Sequence, residues 1–146
     1  MKIKKVNRYY CDFCKKSGSS KYYMEIHEKH CTLNPQRECR FCTTISGPTT
    51  SMEEMLKVMP NIEDYKVIKI YDDYESISYQ GLDVVLKKSI DKIRELSNNC
   101  PGCILSVLRQ SNLQTHAFDI FNYKEEVKMF WNERNKREYE LEERGY

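Results

Sequence analysis

Seven cysteines and one histidine carry the chemistry legible in this chain of 146 residues. Six of the cysteines form three C-x-x-C pairs: Cys11/Cys14, Cys39/Cys42 and Cys100/Cys103. Such a pair sets two thiolates on one tight knuckle, close enough to share a tetrahedral zinc. The seventh, Cys31, makes the count odd, which argues against a disulfide framework. The start, Met1 to Arg8, has charge but no apolar stretch behind it, so no secretory signal is expected and the cytosol is the expected compartment.

The ligands sort into two sets. Cys11-Asp12-Phe13-Cys14 is followed after 12 residues by His27 and after three more by Cys31. This is the spacing of a small ββα zinc finger whose last histidine is replaced by cysteine. His27 and Cys31 are four apart, so a helix turns both toward one metal. His30 is the rival ligand, but choosing it would leave Cys31 idle. The second set is split, because Cys39-Arg40-Phe41-Cys42 lacks two ligands that Cys100-Pro101-Gly102-Cys103 supplies 57 residues later. The partial positive charge at a helix N-terminus favours thiolates in that second pair. The competing reading, a free or redox-active dithiol at Cys100/Cys103, would strand Cys39 and Cys42.

Eight ligands make two full tetrahedra, so two structural Zn2+ ions are expected. Structural zincs take four protein ligands, whereas catalytic zincs keep a position for water. No catalytic residue is therefore expected. The zinc deaminase pattern fails, since Lys29 follows Glu28 and Asn99 precedes Cys100. Phosphate-loop, dinucleotide and nucleophile-elbow motifs are absent. A nuclease would need a further catalytic cluster, and His30 and His116 fall in different parts of the chain without HNH-type spacing.

The elements that must hold these ligands follow from patterning. Ser19 or Ser20 caps a helix over Lys21 to His30. Thr43 to Thr50, with Gly47-Pro48, reads as a loop. A short helix runs from Met52 to Met59, capped by Ser51 and stopped at Pro60. Tyr65 to Tyr71 reads as a strand and Glu75 to Tyr79 as a weaker one. Gly81 to Leu96 is the best helix, with Leu82, Val85, Leu86, Ile90, Ile93 and Leu96 on one face. Ile104 to Gln110 forms an amphipathic helix, Thr115 to Tyr123 a strand, and Lys124 to Arg144 a long charged helix. In that last helix Val127, Phe130 and Trp131 can dock on a core, and pairs such as Glu133–Arg137 hold the solvated turns.

The expected fold is α+β. A zinc-stabilised ββα-like finger over residues 1–36 precedes a mixed α/β domain over residues 37–146, stapled by the split four-cysteine site. No internal repeat is evident. No run of 18 apolar residues exists, so no membrane-spanning helix is expected.

The segment from Cys11 to Cys42 resembles the Cys-Cys-His-Cys fingers of small bacteriophage proteins. The matching residues are the C-x-x-C pair, His27-Glu28-Lys29-His30-Cys31 and Asn34-Pro35. The run from Cys100 to Gln110 is similar to the second half of a zinc-ribbon module in phage proteins. Together these cover roughly a third of the chain. The resemblance implies a phage-encoded accessory protein without defining an activity.

Charge divides the possible partners. Residues 1–50 carry 10 Lys and Arg against 4 Asp and Glu, and residues 51–146 carry 14 against 18. A basic end hints at nucleic acid. Base-reading positions of the finger helix would be Ser20, Tyr23 and Ile26, which offer no Arg, Asn or Gln to a base edge. Sequence-specific duplex reading is disfavoured. Lys15, Lys16, Lys21 and Lys29 remain as phosphate contacts, with Tyr22 and Tyr23, or Tyr9 and Tyr10, stacking on unpaired bases. The bland reading makes the tyrosines a mini-core. Gly18 stands where a finger has a core aromatic, so Phe13 or Tyr10 would fill that gap. Two partner readings stay open: nucleic acid at the finger, or a host protein docking on exposed aromatics and the acidic C-terminal surface. A small-molecule substrate and a membrane are not expected.

Overall fold

The computed structural model describes residues 1–45 and 50–145. It is a mixed α and β fold with two small antiparallel sheets, as expected. The finger comes first. Strands β1 (Tyr9–Tyr10) and β2 (Ser17–Gly18) pair with Tyr9 opposite Gly18 and Tyr10 opposite Ser17, ahead of helix α1 (Lys21–His30). Of the two serines offered as caps, Ser20 is the one used: its Oγ accepts the Tyr23 N–H at 3.4 Å.

The finger's core corrects one expectation. Phe13 and Tyr10 both stay exposed, and Met24 is the buried side chain, with Tyr9 and Leu33 packed beside it. A Cβ added to Gly18 would sit 3.8 Å from Met24 Cε. The unbranched thioether thus reaches over the glycine, where an aromatic ring is unnecessary.

Beyond the finger lie helices α2 (Arg40–Ile45), α3 (Met52–Val58), α4 (Leu82–Ser97), α5 (Pro101–Gln110) and α6 (Tyr123–Glu143). Strands β3 (Lys66–Ile70) and β4 (Glu75–Tyr79) form a hairpin between α3 and α4, with Ile68 opposite Ile77. Ser51 caps α3 by accepting the Glu54 N–H at 3.2 Å. The loop expected over Thr43 to Thr50 does not begin at Thr43. Thr43 and Thr44 belong to α2, where their hydroxyls donate to the Arg40 carbonyl at 2.9 and 2.8 Å. Gly47-Pro48 fall outside the described residues.

The core lies between α3, α4 and α5. Leu82, Leu86, Ile90 and Ile93 of α4 meet Ile104, Val107 and Leu108 of α5 and Met55 of α3. The helix expected over Ile104 to Gln110 starts earlier, at Pro101, and α5 is buried on most sides, including Pro101, Gly102 and Ser106, which makes it the central helix. The buried Ser106 hydroxyl is satisfied by donating to the Gly102 carbonyl at 2.7 Å.

Thr115 to Tyr123 is not a strand. It forms a single 3-10 turn, Thr115–Ala117, and then tight turns that end where α6 begins. The Ile120 and Phe121 N–H groups both donate to the Ala117 carbonyl, at 3.0 and 2.8 Å. Ala117 and Phe121 are buried at helical spacing while Phe118 points out, so the apolar run packs as a turn.

Candidate metal centres

Each ligand set converges on one point. The ligand atoms of Cys11, Cys14, His27 and Cys31 lie within 4.8 Å of one another, and so do those of Cys39, Cys42, Cys100 and Cys103. In the finger, β1 and β2 bracket the first knuckle, and α1 carries His27 inward with Cys31 just past its last turn. Cys14 Sγ is 3.2 Å from His27 Nε2. The Phe13 and Lys16 amides donate to the sulfurs of Cys11 and Cys14, both at 3.4 Å. Such amide–sulfur bonds fix thiolate orientation around a metal. His30 takes no part, because its Nδ1 lies 2.9 Å from the Glu38 carbonyl oxygen.

Local bonds hold the finger's exit. The Asn34 side-chain amide donates to the Glu28 carbonyl at 2.8 Å, and its Oδ1 accepts the Gln36 N–H at 2.9 Å. The Asn-Pro step therefore closes the C-terminal end of α1. Two side chains of α5 grip the next segment. Arg109 donates to Thr32 Oγ1, and Gln110 donates to the carbonyls of Thr32 and Asn34 at 2.9 and 3.2 Å.

The split centre forms where α2 meets the first turn of α5. Cys39 Sγ is 3.4 Å from Cys100 Sγ, and Cys42 Sγ is 3.4 Å from Cys103 Sγ. A covalent bond would need about 2.05 Å. Zn–S bonds of about 2.3 Å set the sulfurs of a tetrahedron about 3.8 Å apart, so the donors fit a zinc-sized ion. The chain reverses into this knuckle through Asn98 and Asn99, both left-handed at φ 54° and 57°. The Asn99 N–H donates back to the Arg94 carbonyl at 2.9 Å, closing α4. Gly102 is forced by close approach: a Cβ there would meet Phe41 Cδ2 at 2.8 Å and Cys39 Sγ at 3.2 Å.

The titration of these thiols also calls for a cation. Hydrogen bonding with Cys100 holds the Cys39 thiol below the ordinary range, and bonding with Cys103 does the same for Cys100. Cys42 and Cys103 are pushed above that range, both chiefly through Cys100. Four sulfurs this close ionise together only around a positive ion. In the finger, burial lowers the His27 pKa, with Lys16 adding to the effect, and keeps the ring neutral as a ligand must be.

Aromatic packing locks the split centre. Phe41 stands edge-on to Phe130 at 5.2 Å and lies 6.0 Å from Trp131. The expected docking of α6 by Phe130 and Trp131 thus falls on the knuckle itself. Arg94 and Glu126 make a bidentate pair at 2.9 and 2.6 Å that ties α4 to α6. On the solvated turns, Arg134 pairs with Glu138 at 3.2 Å and lies 5.7 Å from the Trp131 ring centre. That pair takes the place of Glu133–Arg137.

The basic finger residues differ in their surroundings. Lys15 and Lys16 make no ion pair among the described residues, whereas Lys21 pairs with Glu25 at 3.8 Å and Lys29 with Glu38 at 3.1 Å. Tyr22 and Tyr23 meet edge to face at 5.5 Å, and Tyr23 is 72% exposed. Gly102, Arg37 and Arg40 were given no role by the sequence, and Asn34 only a place in the Asn-Pro match. The glycine between Cys100 and Cys103 and the arginines flanking Cys39 were the available signals.

The arrangement defines a chain with two four-ligand Cys/His sites able to hold metal ions, one local and one long-range. Compared with family models, curated proteins and solved structures, the chain gives no match. No helix among the described residues is long and apolar enough to cross a membrane.

Proposed function

We propose that the chain is a non-enzymatic zinc-stapled accessory protein, of the phage type its finger resembles, that binds nucleic acid through that finger. Zinc is the metal assigned to both centres, since a closed set of four thiolates, or of three thiolates and an imidazole, is its structural coordination. The observation that carries the reading is the finger surface. Tyr10, Tyr22 and Tyr23 stand exposed on the same small unit as Lys15, Lys16, Lys21 and Lys29. Stacking rings beside cations suit unpaired bases and phosphates without sequence readout.

The test is titration of zinc-loaded protein with single- and double-stranded oligonucleotides across a salt series. Affinity should fall steeply with salt, and Lys15/Lys16/Lys21→Ala should weaken it. An absence of binding at low salt removes this reading.

A second reading has its own observation. The β3–β4 hairpin exposes Ile68, Ile70 and Ile77, with Ile70 at 79%, and a Tyr71–Tyr74 stack at 4.9 Å. An apolar surface of this kind suits a protein partner. Salt-insensitive binding to a protein, lost in Ile68→Ser/Ile77→Ser, would favour it.

A further inference from the structure

A cleft of about 430 Å³ lies between the finger and the four-cysteine centre. Lys16, Tyr23 and His30 line it from the finger, and Arg37, Arg40 and Tyr123 from the following chain. Among the described residues no Asp or Glu lines it. Two further clefts differ on this point. One sets Glu126, Glu133 and Glu138 against three arginines, and the other includes Glu38 beside Arg37. Neither Lys16 nor Arg40 makes an ion pair among the described residues.

Arg37 supplies an independent sign. Its Nη1 is buried and has no hydrogen-bond partner among the described residues, while its Nε donates to the His30 carbonyl at 3.4 Å. A buried donor left unmade is costly, and a turn of the guanidinium toward the cleft would let an anionic oxygen satisfy it. Arg37 also lines the neighbouring cleft together with Cys39, Cys42 and Cys103. Charge neutralisation of the two centres accounts for a cation near each, Arg37 by the four-cysteine site and Lys16 by the finger, but not for a third, Arg40, in the same acid-free cleft.

We propose that this cleft seats one nucleotide unit of a single-stranded nucleic acid, with phosphate on Arg37, Arg40 and Lys16 and the base against Tyr23 or Tyr123. The guanidinium fork matches phosphate geometry, and an exposed phenol ring offers a face to any base. A cleft of about 430 Å³ is of the size of one nucleotide unit. The proposal rests on the nucleic-acid reading above and names where and in what form the strand sits.

The test uses full-length, zinc-loaded protein and an eight-residue oligothymidylate. Arg40→Glu and Tyr123→Ala change the cleft and leave the finger's own residues intact. Each should weaken binding about tenfold or more, and Arg40→Glu should lower the salt slope by about one. Equal zinc content and melting temperature in wild type and variants would show that the fold survives. Lys87→Glu, on the exposed face of α4, sets the scale for a charge reversal elsewhere. If Arg40→Glu and Tyr123→Ala bind like Lys87→Glu while Lys15→Ala/Lys21→Ala loses affinity, the cleft is overturned and the nucleic-acid reading stands. If the two cleft variants lose zinc and not affinity, the cations serve the metal centre and the cleft is again overturned. If wild-type protein binds neither this strand nor a duplex at low salt, both fall.

Discussion

The eight ligand residues were readable because each half-site is a local spacing: three knuckles, and a histidine and cysteine one helical turn apart. What spacing does not show is what packs between the two pairs once they meet across 61 residues. Gly102 packs against Phe41 only once Cys39 and Cys42 meet Cys100 and Cys103, so its place inside the knuckle was a signal whose reason only the fold supplies. Gly102→Ala should destabilise the protein by about 1–3 kcal/mol through overpacking, seen as a lower denaturation midpoint at equal zinc content. The ligand choice at the finger is checked by stoichiometry. Cys31→Ser should retain one zinc per chain and His30→Ala two. His27 sets a pH dependence. The unfolded chain protonates this ring near pH 6.5, the folded chain only at lower pH because burial opposes the charge. Between those two pKa values unfolding takes up a proton, so stability falls as pH falls through that window. Above it both states are neutral and the contribution is constant. Zinc on the ring strengthens the same trend, and melts of the zinc-loaded protein at about pH 7.5 and 5.5 measure it.

Elements with strong periodicity or caps were legible: α1, α3, α4, α6 and both strands of the hairpin fall where the pattern put them. Thr115 to Tyr123 failed for a physical reason. Phe118, Ile120 and Phe121 favour strands in isolation, but no strand among the described residues pairs with them, and the buried pair Ala117 and Phe121 closes a turn instead. Helix α5 was under-read, since its burial depends on being surrounded by α2, α3, α4 and α6. Helix α6 showed its anchor residues, Phe130 and Trp131, but not the knuckle they dock on. No residue of α6 is fully buried, so its place rests on Phe130 and Trp131 against Phe41 and on the Arg94–Glu126 pair. Glu126→Gln removes the charge from a largely buried two-pronged bond and should lower stability by about 1.5–3 kcal/mol. Hydrogen exchange should then quicken in α6 before it does in α5.

At the scale of the molecule the two centres do different jobs. The first organises one small finger, and the second joins α2 to α5 around the whole core. Cys11→Ser should therefore loosen the finger and leave most of the thermal transition in place, whereas Cys100→Ser should lower the melting temperature of the entire chain. Calorimetry showing the opposite order would overturn this layout. That division was legible in outline from ligand spacing. The grip of Arg109 and Gln110 on Thr32 and Asn34, which seats the finger on the core, was not, because single polar residues carry no pattern. The positions of the ligands along the chain also set a timetable for synthesis. The finger's four ligands have all left the ribosome once Cys31 has emerged, before Cys39 appears, and the chain lengthens at about 5–20 residues per second. Metal captured then sequesters three thiols early. Cys39 and Cys42 must wait for Cys103, several seconds later, with no other cysteine pair free to trap them in a crossed site. A chain made without zinc loses that ordering and meets its seven thiols all at once.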